Sequence, residues 1–112
     1  MPVGGPAISR LYGGVNVFTL VIYDISDDRL RLKISEICKN YGLARIQKSA
    51  FLGRQTNSSR KELIAKLRMV IAEEGTERDN VQIFTLDSFS YNSRVIIGTF
   101  KLVEEKGVLV YV

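Results

Sequence analysis

The chain has 112 residues, 46% of them hydrophobic and 25% charged, the composition of one ordinary globular domain. Its net charge is +4, it has no histidine, and its one cysteine is Cys38. Those absences exclude histidine acid–base chemistry, a Ser-His-Asp triad, most zinc sites and an internal disulfide. No apolar run approaches the roughly 20 residues a membrane helix needs, and the N-terminus lacks the order of a signal peptide. The lone thiol fits a reducing cytoplasm and, by its position, a helix core. A domain this short gains core by pairing with a second copy.

The charge is unevenly spread. Residues 1–28 hold one basic and three acidic side chains. Residues 29–68 hold eleven basic and two acidic, and residues 69–112 hold four basic and seven acidic. A basic middle third suits a polyanion. Solvated helix faces would give the same pattern.

Residues 1–15 read as a loose leader, with Pro2, Pro6 and two glycine pairs, and residues 16–112 as one domain. Val17 to Tyr23 is apolar or β-branched on both faces, so it reads as a central strand buried on both sides. Asp24 is the first charge after it, at the strand's exit. A carboxylate there can present a metal ligand, or it can be a turn residue or a helix cap. Ser26 or Asp27 caps the first helix. Leu30, Ile34, Ile37, Cys38 and Tyr41 form its buried stripe, and Gly42 is its left-handed stop.

Leu43 to Arg54 reads as the second strand, and Gln55 to Ser58 as a loop. Ser59 to Glu62 has the form of a capping box opening a second helix. Leu63, Leu67, Val70 and Ile71 are its stripe, and it ends near Glu74 and Gly75. Asp79 to Leu86 reads as a third strand, Asp87 to Ser93 as a polar turn, Arg94 to Leu102 as a fourth strand, and Val108 to Val112 as a short last strand. The expected fold class is α+β, a ferredoxin-like βαββαβ domain with an extra C-terminal strand and both helices on one sheet face. The other face stays apolar, which points to a homodimer through the sheet. The terminal VLVYV, unpaired in this scheme, could join a neighbouring chain's sheet edge.

The remaining chemistry is carboxylates with magnesium. Magnesium takes few protein ligands and keeps several waters. Two Asp24 residues meeting across a two-fold axis would suit it better than one, and would make the active unit a dimer.

The segments Val21-Ile-Tyr-Asp-Ile-Ser-Asp-Asp28, Tyr41-Gly-Leu43 and Ile46-Gln-Lys-Ser-Ala-Phe51, in that order, closely resemble the Cas-two family of small CRISPR-associated proteins. The resemblance covers about residues 16 to 112. It implies a ferredoxin-like homodimer that cuts RNA or DNA with a metal, takes part in spacer acquisition, and sits between dimers of the Cas-one integrase. It implies Asp24 as the metal-binding carboxylate, and Asp24 with Tyr23 before it as the catalytic residues. It implies Arg31, Lys33, Arg45, Ser49 and Phe51 as nucleic-acid-binding positions. Lys33 stands where some members have arginine and lacks the guanidinium fork. Phe51 reads as core or interface packing rather than as a base-stacking platform, and Arg31 and Arg45 read equally as surface charge.

Three functions compete. One is a magnesium-dependent endonuclease. Another is a DNA-binding scaffold whose arginines and lysines contact phosphates without reading bases. The third is a toxin-like RNA interferase. The same residues serve the first two, and the fold favours none of the three.

Overall fold

In a computed structural model the described residues are 15–98, 102–105 and 108–111, with side chains described over 17–98. The leader expected over residues 1–15 lies outside them, save the backbone of Val15. The β-branched and aromatic run makes strand β1, Val15–Asp24. Around it run α1 (Asp28–Asn40), β2 (Ala44–Gln47), β3 (Ala50–Thr56), α2 (Asn57–Glu74) and β4 (Asn80–Leu86). The four strands form an antiparallel sheet in the order β2-β3-β1-β4. That order with that topology is the ferredoxin-like fold.

Register fixes what each face carries. Val21 lies opposite Phe51 on one side and Ile83 on the other. Alternation puts Thr19, Val21 and Tyr23 beneath the helices, where all three are buried. Val21 and Tyr23 pack with Leu30, Ile34, Ile37 and Cys38 of α1 and Leu63, Leu67 and Val70 of α2. Each such side chain contributes roughly 1.5–3 kcal/mol by leaving water. Phe18, Leu20 and Ile22 point to the other face. There the expectation of burial on both sides is only partly met: Phe18 is covered, but Ile22 is 40% exposed. Among the described residues no helix is long and apolar enough to cross a membrane.

Local chemistry explains the boundaries. Asp27 caps α1, its carboxylate accepting from the Leu30 amide at 2.8 Å. Gly42 ends that helix with φ +86°, a conformation that favours glycine. Leu43 to Arg54 is a hairpin rather than one strand. The chain turns at Lys48 and Ser49, and Arg45 Nη1 donates to the Lys48 carbonyl at 2.6 Å. This hairpin supplies two of the four sheet strands. The second helix begins at Asn57, three residues earlier than the capping box suggests. Thr56 is its cap, accepting from the Ser59 amide at 3.0 Å.

The C-terminal third departs further from expectation. Asp87 caps a short helix α3 (Ser88–Asn92), where a polar turn was expected. Tyr91 on it stacks on Phe18, ring centroids 3.8 Å apart, and covers that end of the open sheet face. Residues 94–98 form no strand, and residues 99–101 lie outside the described chain. Strand β5 (Leu102–Glu105) pairs with β6 (Val108–Tyr111), so the last strand finds its partner within its own chain.

Candidate functional site

Three pieces of backbone meet where β1 leaves the sheet. Asp24 is the last β1 residue paired with β4, opposite Asn80. The Tyr23 amide donates to the Ser49 carbonyl at 3.0 Å, which ties the β2–β3 turn to the same place. The first turn of α1 closes the third side. A cleft of about 550 Å³ lies between them. Tyr23, Asp24, Arg31, Arg45 and Ser49 all line it. Asp28 and Lys48 line it as well.

Asp24 is exposed and enters no ion pair among the described residues. Arg31, half-buried, is well anchored. Its Nη1 donates to the Ile25 carbonyl at 3.0 Å and to the Ser26 carbonyl at 3.3 Å, and its Nη2 pairs with Asp28 one helical turn back. Arg45 spans the hairpin turn with its guanidinium 5.0 Å above the Phe51 ring. Tyr23 is buried, and desolvation raises its phenol above the ordinary value, while Arg45 and Arg31 pull the other way. Tyr23 therefore stays protonated at neutral pH. Its hydroxyl can donate a hydrogen bond and cannot serve as a base.

Two expected positions fall outside the cleft. Lys33 faces the neighbouring helix, and its ammonium is paired with Glu74 of α2. Phe51 is fully buried, so no nucleic acid reaches its ring; its place is the core beneath Arg45. Lys48 lies in the turn where a continuous strand is expected, and with no glycine, proline, asparagine or aspartate in the turn no strong signal marks it. Asp28 is the acid in the first turn of α1, and it also lines the cleft.

Among the described residues no three His, Cys, Asp or Glu side chains gather in a metal cluster. Zinc or a dedicated calcium cage has no donor set there. Magnesium is less demanding: one or two carboxylates and water complete its shell. An exposed carboxylate outside any ion pair, as Asp24 is, fits that demand as one ligand.

The family description "CRISPR associated protein Cas2" matches residues 17–94. A Korarchaeum cryptofilum (strain OPF8) protein named "CRISPR-associated endoribonuclease Cas2" is 54% identical over 55 residues, 49% of this chain and 59% of its own length. A Chloroflexus aurantiacus protein named "CRISPR-associated endoribonuclease Cas2 2" is 37% identical over 78 residues, 70% of this chain and 88% of its own. The match to the first curated relatives thus spans little more than half of their length. Among solved structures, a chain of one titled "Partial Cas6-RT-Cas1--Cas2 complex" is 26% identical with a TM-score of 0.60, over 72% of this chain and 90% of that one. The family match runs from β1 through α3 and takes in every side chain that lines the cleft. On that ground the chain belongs to the Cas2 family of CRISPR-associated proteins.

Proposed function

We propose that the chain acts as a homodimeric, magnesium-dependent endonuclease on RNA or DNA phosphodiesters, within CRISPR spacer acquisition beside a Cas1 partner. The observation that carries this reading is one exposed carboxylate, outside any ion pair, sharing a cleft with two guanidinium groups. RNA is the first substrate to try, because the curated relatives are named endoribonucleases.

The dimer draws support from the open sheet face. Ile22 and Phe84 are 40% and 44% exposed there, and Val95 and Ile97 beyond α3 are more exposed still. An apolar surface of this kind suits a second copy. Asp24 shares the face of Phe18, Leu20 and Ile22, at its border. Two copies joined through it would bring two Asp24 carboxylates toward one seam.

The Asp24 pair would hold the magnesium, which when bound supplies positive charge against the phosphate. Arg45 and Lys48 offer the phosphate further positive charge from the β2–β3 turn. The Tyr23 hydroxyl, which lines the cleft, is free to donate a hydrogen bond to a bound phosphate. Arg31 is more committed: it holds the first turn of α1 and adds its field to the cleft.

The test is cleavage of labelled RNA and DNA by wild type and by Asp24→Asn, with and without magnesium. Cleavage that needs magnesium and is lost in Asp24→Asn, with binding retained, supports the nuclease. A second reading is a DNA-binding scaffold, favoured by the neighbour solved within an assembly whose title includes Cas1. Integration that survives Asp24→Asn would select it.

A further inference from the structure

Ser26 lies two residues beyond Asp24, in the loop between β1 and α1. Its amide donates to Oδ1 of Asp79 at 2.9 Å and its hydroxyl to the same oxygen at 3.2 Å. The other oxygen, Oδ2, accepts from the Thr76 amide at 2.8 Å and from the Thr76 hydroxyl at 3.2 Å. One carboxylate thus joins two loops far apart in sequence, with one oxygen for each. Arg31 donates to the carbonyls of Ile25 and Ser26 in the same loop. Asp79 also immediately precedes Asn80, the residue paired with Asp24 across the sheet. Asp79 does not line the cleft, so it meets no ligand there.

We propose that Asp79 is a positioning residue: by tying Ser26 to Thr76 it holds Asp24 where the cleft needs it. This rests on the nuclease reading above. The choice of side chain follows from the donor count. Four donors converge on two acceptor oxygens. An asparagine keeps one oxygen and can accept from one loop's backbone amide only; its NH2 group would face the other loop's amide N–H, and only that loop's hydroxyl could turn to accept from it. A carboxylate is the short side chain that serves both. Displacement of a reacting group by even an ångström from a site it does not itself occupy costs rate steeply.

The test uses the full chain and compares wild type, Asp79→Asn and Ser26→Ala in magnesium-dependent cleavage of labelled RNA, with thermal unfolding alongside. In Asp79→Asn the rate at saturating substrate should fall about tenfold or more, and the magnesium midpoint should rise. Its KM should stay within about twofold, because the phosphate-facing cations remain. Ser26→Ala loses one of the four donors but keeps the amide, so its fall in rate should be smaller than in Asp79→Asn. If Asp79→Asn lowers the folded fraction, the double variant Ser26→Ala/Thr76→Ala, which keeps both amide donors, must shift rate and magnesium midpoint the same way but less. Unchanged kinetics per folded molecule in both variants would overturn the proposal. If wild type itself does not cleave, the nuclease reading fails on its own. The clamp is then judged by hydrogen exchange at the Asp24 and Ser26 amides. Asp79→Asn must speed that exchange, and equal exchange in both proteins would overturn it.

Discussion

The guanidinium of Arg45 lies 5.0 Å above the ring of Phe51. The same group donates from Nη1 to the Lys48 carbonyl at 2.6 Å. A core ring thus carries a cleft cation, and the cation in turn fixes the hairpin turn that lines the cleft. Arg45→Lys keeps the charge but loses the planar fork that does both jobs. Its nucleic-acid affinity should fall by about tenfold, the size of one charge-assisted hydrogen bond. Filter binding at fixed salt reads this. An affinity equal to wild type would show that the fork is not used.

Phe51 separates packing from recognition. It is fully buried between the sheet and the helices. Phe51→Ala should cost about 3–5 kcal/mol in denaturant unfolding. Phe51→Leu should cost much less and leave nucleic-acid affinity unchanged. Affinity lost in the leucine variant at full stability would contradict the core assignment.

Gly53 in β3 faces the chain that leaves α1. A Cβ there would sit 2.8 Å from the Gly42 carbonyl oxygen and 2.8 Å from a Leu43 methyl. The backbone oxygen belongs to the Gly42 turn and cannot swing aside as a side chain would. Gly53→Ala should therefore destabilise by about 1–3 kcal/mol, the usual cost of overpacking. A variant with an unchanged unfolding midpoint would mean that the turn after α1 yields freely.

How much of this was legible follows from what each signal depends on. The stripes Leu30-Ile34-Ile37-Cys38 and Leu63-Leu67-Val70 are periodic, and helical period survives any tertiary context. Asp24 was legible because a strand's first charge marks its exit. The Leu43 to Arg54 hairpin was not read as two strands, since its turn has neither glycine nor proline. Arg94 to Leu102 has strand composition but no strand over 94–98; composition records what a segment could pair with, not whether a partner is present. Asp79 was invisible as a clamp. Its four donors come from Ser26 and Thr76, and only folding brings Ser26 near it.

Cys38 gives a pH dependence with a definite sign. Burial pushes its thiol up to about 12, against the milder opposite pull of Arg45. The raised value means that the folded chain keeps a proton the unfolded chain releases. Its contribution is fully present below the ordinary thiol value and is lost as pH rises toward the folded value. Denaturant midpoints measured across that alkaline window should fall less steeply in Cys38→Ala. Below the window, native Cys38 should resist alkylation until denaturant is added. Rapid labelling of the native protein would contradict its burial.

Titration calorimetry of magnesium into the protein, with Asp24→Ala as the blank, tests most directly the proposed ion shared by two Asp24 carboxylates. One ion for every two chains, and no binding heat in the variant, is the expected result. One ion for each chain, or equal heat in both proteins, would contradict it.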